Sequence, residues 1–138
     1  MVPASITGKV VVTLTVRELR RGADSYRALL AAREDVHVDQ SGRLAQVTLT
    51  EPTSVLQLCL VSHPTGSKEP FSEARPELDH LEFLVAHRDD PDSWAERLDQ
   101  LGIQHSGVKE PSCTSNAMLT FRDPDNIQLE FFWSPGSP

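Results

Sequence analysis

His80 and Glu82 stand two residues apart in the run Leu78-Asp79-His80-Leu81-Glu82-Phe83-Leu84-Val85. An imidazole beside a carboxylate is a simple acid–base pair, and both are ligands for divalent metals. The run alternates as a half-buried strand does, with Leu81, Phe83 and Val85 on one face and His80, Glu82 and Leu84 on the other. Two ionisable groups on one face of an apolar strand suggest that the face borders a cavity. Taken alone, the strand fits a merely solvated face better, because antiparallel sheets often wet one side and charged residues are mostly exposed. The rest of the chain has to decide.

The chain has 138 residues, 38% hydrophobic and 24% charged, which suits one globular domain or two small modules sharing a core. A net charge of -7 argues against nucleic acid and anionic membranes as partners, since both require basic patches. No apolar run has the length of a membrane span, and the N-terminus lacks the layout of a signal peptide. Cys59 and Cys113 form no metal or redox spacing, so the expectation is free thiols in a cytoplasmic protein. No two of the five histidines have the i, i+4 spacing of a helix-borne zinc motif. A metal site would have to be assembled from separate strands.

In chain order, residues 1–7 read as a lead-in and Lys9 to Val16 as a β-branched strand with Val11, Thr13 and Thr15 on one face. Leu19 to about Arg33 has helical periodicity, with Tyr26, Leu29 and Leu30 as its apolar stripe. Strands are expected at 36–38, 44–50 and 55–61, the last placing Val55, Gln57 and Cys59 on one face. Residues 63–77 contain Pro64, Gly66, Pro70 and Pro76 and read as a linker. After the strand at 78–85, Asp90 can cap a helix that starts at Pro91, buries Trp94, Leu98 and Leu101, and ends at Gly102. A strand candidate at 103–108 is followed by a hairpin of 117–122 and 127–133, turned by Asp123-Pro124-Asp125-Asn126, and residues 134–138 form a tail.

Both halves therefore read strand, helix, strand, strand, strand. Tyr26 with Leu30 matches Trp94 with Leu98, and Leu56-Gln57-Leu58 aligns with Leu129-Glu130-Phe131. Val11 then falls opposite His80. This is the pattern of an internal duplication, with modules at 8–62 and 78–133.

The chain resembles the vicinal oxygen chelate superfamily of glyoxalase I, fosfomycin-resistance enzymes, extradiol dioxygenases and bleomycin-resistance proteins. The first half contributes Val12-Thr13-Leu14-Thr15-Val16-Arg17-Glu18-Leu19 and Tyr26-Arg27-Ala28-Leu29-Leu30. The second half contributes Asp79-His80-Leu81-Glu82-Phe83, Trp94-Ala95-Glu96-Arg97-Leu98 and Phe121-Arg122-Asp123-Pro124-Asp125-Asn126, followed by Gln128-Leu129-Glu130-Phe131. The resemblance implies an α+β fold of two βαβββ modules whose curved mixed sheets enclose a cavity, usually in a homodimer. It is specific for fold and weak for reaction, because many chemistries share this scaffold.

In metal-using members of the family, four inward positions hold the ion. Carried over, they are Val11, Gln57, His80 and Glu130. His80 and Glu130 suit one divalent ion such as Fe, Mn, Ni, Co or Zn, and the amide oxygen of Gln57 is a weaker donor. Val11 cannot coordinate. The implied activity is metal-assisted chemistry on a small molecule, with Glu82 as catalytic base unless it joins the ligands. The alternative is a metal-free binding protein of the bleomycin-resistance type, whose cavity groups hydrogen-bond the ligand. Val11, Thr13, Cys59, Met118 and Arg122 are the expected substrate-binding positions. Arg122 shares strand parity with Met118 and Thr120 and could hold an anionic ligand; a surface pairing with Asp123 or Asp125 is its plainer role. His105 is expected at the surface, and Trp94 and Tyr26 in the core.

Overall fold

A computed structural model describes residues 4–136; the rest of the expected lead-in and tail lies outside the described residues. β1 (Val12–Thr15), α1 (Leu19–Leu30), β2 (Arg33–Val38), β3 (Leu44–Thr50) and β4 (Gln57–Val61) make the first module. β5 (Leu81–Leu84), α2 (Asp90–Gln100), β6 (Ala117–Arg122) and β7 (Gln128–Trp133) make the second. The first sheet has the order β1-β4-β3-β2 and the second β5-β7-β6. In each, the first strand runs parallel to the last, and the other pairs are antiparallel. The α+β duplication is thus present, with one unequal member. The strand expected at 103–108 shrinks to two isolated bridges, His105 to Phe121 and Lys109 to Met118. Gly107, with φ +71°, turns the backbone between them, where a continuous strand would need extended residues.

Several boundaries move for identifiable reasons. β1 begins at Val12 because the first-sheet register starts with Val12 opposite Leu58, and Gln57 is already paired with Thr50. α1 stops at Leu30, since Ala31 is left-handed (φ 48°) and its N–H closes on the Arg27 carbonyl. β2 then runs from Arg33, longer than the expected 36–38. α2 starts one residue early, with Asp89 at the N-cap making no side-chain cap bond, while Asp90 Oδ2 accepts the His87 N–H at 2.8 Å. Gly102 ends α2 at φ +68° as expected.

Ala31 is exposed and carries a side chain where glycine is the favoured residue. Ala31→Gly should therefore raise stability by about 0.5 kcal/mol, the relief of left-handed strain exceeding the added freedom of the unfolded chain, as read by chemical denaturation.

One core serves both modules. Leu14, Val47, Leu49, Leu58 and Leu60 of the first sheet share a buried cluster with Leu119, Phe121, Leu129 and Phe131 of the second, together with Tyr26, Leu29 and Leu30 of α1 and Leu98 of α2. Phe131 stacks on Trp94 with ring centroids 4.1 Å apart and also meets Phe83 and Phe121. Gly22 lets α1 approach β1 closely, because a Cβ there would lie 3.3 Å from the Val16 methyls. The β6–β7 turn joins the halves. Tyr26 donates its hydroxyl to Asp123 Oδ2 at 2.8 Å, and Arg17 donates Nε to Asp125 Oδ1 at 2.8 Å and NH2 to the Pro124 carbonyl at 2.9 Å. Strand alternation then sends the other face of each sheet away from this shared core.

Candidate functional site

On the outward face of the second sheet, His80, Glu82 and Glu130 converge. One ligand atom from each lies within 4.8 Å of the others. The register explains why: Glu82 stands opposite Glu130 on parallel β5 and β7, and His80 immediately precedes β5. The three residues differ in setting. Glu130 is buried at 6% exposure, whereas the side chains of His80 and Glu82 are 28% and 42% exposed.

His80 is held from both sides. Its Nδ1 lies 2.5 Å from Asp79 Oδ1 and its Nε2 lies 3.2 Å from Glu82 Oε1. The Asp79 contact chiefly, then Glu82, raises its pKa and favours imidazolium, with Glu130 adding a smaller attraction. Glu130 is also raised, first by burial and then by the charge of Glu82, against the opposing pull of His80. Among the described residues the Glu130 side chain accepts no hydrogen bond, and a largely desolvated carboxylate beside a second carboxylate favours a cation.

Such a donor set fits a divalent ion: one imidazole and two carboxylates within reach of a single centre. With Nδ1–H donated to Asp79, Nε2 is the ring nitrogen left to ligate, the carboxylate–histidine–metal arrangement that fixes tautomer and ring orientation. Asp79 went unnoticed as a site residue in the sequence because strict alternation puts it on the opposite face. It precedes the first paired residue of β5, so its backbone is not bound to that alternation.

The remaining expected residues fall elsewhere. Gln57, Cys59 and Thr13 lie on the first sheet's outward face; Gln57 donates Nε2 to Thr50 Oγ1 at 3.4 Å, and Cys59 Sγ lies 3.5 Å from Thr48 Oγ1. Val11 precedes β1 and is 50% exposed. The module alignment also shifts. Val12 faces Leu58 as Leu81 faces Leu129, so with Val11 matched to His80, the residue equivalent to Glu130 is Cys59, and Gln57 corresponds to Gln128. Burial along the two last strands agrees, intermediate then three buried from Gln57 and from Gln128 alike. The sequence alignment placed Gln57 one strand period away, on the same face, because Leu-x-Leu occurs twice in Leu56-Gln57-Leu58-Cys59-Leu60.

Met118 and Arg122 share the outward face with Glu130. Thr120 pairs with Glu130 and Arg122 with Gln128. Arg122 does not pair with Asp123 or Asp125; it forks onto Glu73, NH2 to Oε1 at 2.7 Å and NH1 to Oε2 at 3.1 Å. His105 is tied by Nε2 to Asp99 Oδ1 at 3.0 Å and by Nδ1 to the Gly107 N–H at 3.0 Å, away from the triad's contacts.

The Arg122 fork holds the Glu73 carboxyl down at a pKa of about 2, from an ordinary 4.5. The stabilisation from this pair is present above pH 4.5 and is lost as pH falls towards 2. Glu73→Gln should accordingly flatten the loss of melting temperature between pH 4.5 and 2.

The sequence matches the family model of the Glyoxalase/Bleomycin resistance protein/Dioxygenase superfamily over residues 9–131. The chain belongs to this superfamily. A glyoxylase/bleomycin resistance protein/dioxygenase domain from Frankia sp. EAN1pec is 32% identical, with a TM-score of 0.82, covering 97% of this chain and 96% of that one. Fosfomycin resistance protein FosX from Listeria monocytogenes shares the superfamily fold at 16% identity and a TM-score of 0.66, covering 96% of this chain and 97% of that one. The same Listeria protein complexed with Mn(II) and sulfate superposes with a TM-score of 0.64 at 19% identity, covering 96% of each chain. No curated protein matches the sequence at a significant level. Among the described residues, no helix is long and apolar enough to cross a membrane.

Proposed function

We propose that this superfamily member acts on a small molecule through one divalent ion held by His80 and Glu130. The observation that carries this is Glu130, a residue 6% exposed whose carboxylate accepts no hydrogen bond among the described residues and lies beside His80 and Glu82. The ion, of the Fe, Mn, Ni, Co or Zn type, would polarise vicinal oxygens of the substrate. Glu82 is the most exposed of the three and is placed to take a proton from a bound molecule, or to complete the ligand set. Asp79 orients His80 by accepting from Nδ1. Thr13, Cys59 and Val11 would face the ligand from a second copy of the chain. Within one chain the two outward faces point away from the common core, so a cavity closed on both sides calls for a homodimer. Exposed Val10, Val11, Val36, Val38 and Leu84 give that assembly an apolar surface. The free thiols of Cys59 and Cys113 fit a reducing, cytoplasmic setting.

A metal-free binding protein is the second reading, favoured by a different observation. His80 is already satisfied by Asp79 and Glu82, and Val11 supplies no donor at its position. One experiment separates them: chelated protein is titrated with Mn, Fe, Ni, Co and Zn while its melting temperature is followed. A stoichiometric, saturable rise supports the metal site. The absence of any rise with all five ions, with none bound by elemental analysis, leaves only the binding protein.

A further inference from the structure

The segment read as a linker, 63–77, is laid against the second module. The Phe71 N–H donates to the Asp125 carbonyl at 2.9 Å, and Asn126 Nδ2 donates to the Phe71 carbonyl at 3.0 Å. This anchors the strap one residue pair away from Glu73, which sits in the Arg122 fork. The guanidinium is itself aimed by the sheet, with NH1 on the Asn126 carbonyl at 3.0 Å and NH2 on Gln128 Oε1 at 3.1 Å. Arg122 therefore presents an oriented pair of donors, and a carboxylate already fills it in the bidentate manner that suits guanidinium geometry.

Its position relates it to the triad. Arg122 pairs with Gln128, two residues before Glu130 on the same face of β7, which is a separation of about 7 Å along the strand. Asp79, the partner of His80, is near enough to raise the Arg122 pKa, although Glu73 is the larger cause. Arg122 is the one arginine or lysine on the outward face of the three strands β5, β6 and β7. A cavity of about 310 Å³ opens beside it, lined by Gln104, His105, Ser106, Thr120 and Gln128, which offer both donors and acceptors. Both members of the Arg122–Glu73 pair are about 40% exposed, so water and solutes reach it, and an ion pair of that kind is weak enough to exchange.

We propose that Arg122 receives the carboxylate of a small carboxylate ligand whose other end reaches His80 and Glu130, and that Glu73 is a carboxylate of the chain that the ligand displaces. The inference rests on taking the His80–Glu130 face as the ligand site, and it adds the substrate class and a built-in competitor. Displacement would free the strap at Glu73 while Phe71 keeps it anchored. The site would therefore be filled by its own chain until a ligand carboxylate competes successfully, and the protein's affinity for such ligands is set below what the fork alone would give.

Calorimetric titration with succinate, and with its uncharged diamide succinamide as control, tests this on the full chain. Glu73→Gln, and Glu73→Ala as a second variant, should each bind succinate at least fivefold tighter than the unaltered protein, with no change for succinamide. Adding Arg122→Gln to either variant should abolish succinate binding. Unchanged succinate affinity on removing Glu73, or binding that survives the loss of Arg122, overturns the proposal and leaves the pair a strap fastening. Mn(II) titration of the same proteins keeps the two readings apart. If succinate behaves as stated while Mn(II) does not bind, the metal reading fails alone; if Mn(II) binds normally in Arg122→Gln and succinate shows no dependence on Glu73, the carboxylate inference fails alone.

Discussion

Asp123→Ala is expected to destabilise the protein by about 4 kcal/mol, because it strips the acceptor from several buried donors at once. Asp123 Oδ1 accepts the N–H groups of Asp125 and Ile127, each at 2.8 Å, and Oδ2 accepts the Tyr26 hydroxyl. Asp123 is 9% exposed and Tyr26 1%, so water cannot take over the lost bonds without opening the core. At about 3 °C per kcal/mol for a domain of this size, the melting temperature should fall by about 12 °C in a circular-dichroism melt. Asp123→Asn should be far milder. Burial raises the pKa of Asp123 against the hydrogen bonds of Ile127, Tyr26 and Asp125, and an amide in its place keeps an acceptor for the two backbone N–H groups. Burial, and then the Asp123 charge, likewise push the Tyr26 hydroxyl well above its ordinary pKa of 10. Its contribution is retained at neutral pH and is lost as pH rises above 10, where the unfolded tyrosine ionises first.

His80→Ala and Glu130→Gln should each abolish the thermal gain expected from a divalent ion at the proposed site. An ion at a hundredfold excess over its dissociation constant adds about 2.7 kcal/mol, and removing one of so few donors should drop affinity below detection in that range. In the absence of metal the two substitutions should diverge. Glu130→Gln removes a desolvated charge lying beside Glu82 and should raise the melting temperature, whereas His80→Ala removes the group that pairs both Asp79 and Glu82 and should lower it. A Glu130→Gln protein that still gains stability with Mn(II) or Zn(II) would count decisively against the site. Under the proposed homodimer, Val11→His should tighten metal binding only at protein concentrations where two copies associate, since Val11 belongs to the other module of its own chain from His80.

Period-two alternation and the duplication carried the sequence a long way. They placed His80 and Glu82 on one face, the apolar faces on the core side, and Gly102 at the end of α2, while the family resemblance supplied Glu130 as their companion. Three things were out of reach. The equivalence of Cys59 to Glu130 in the two modules depends on strand register, which a repeated Leu-x-Leu leaves ambiguous by one period. Asp79 acts where regular pairing has not yet begun, so alternation does not apply to it. Glu73 meets Arg122 across 49 residues of chain, from a segment whose prolines and glycine announce a loop but say nothing of what it docks against. The break at 103–108, by contrast, was legible: Gly107 stands within the run, and its left-handed turn splits the pairing into two bridges.

The β6–β7 turn has a consequence for how the duplicated halves behave as one object. Tyr26 and Arg17 belong to the first half, and Asp123, Pro124 and Asp125 to the second; these bonds and the common aliphatic cluster are made only when both are folded. Each helix packs on its own sheet, α1 on β3 and β4 and α2 on β6 and β7, so the bonds across the turn and the joined cluster are what couple the two halves, and loss of order in one withdraws partners from the other. Coupling of that kind predicts a single cooperative unfolding transition for the whole chain, with no separate melting of either half.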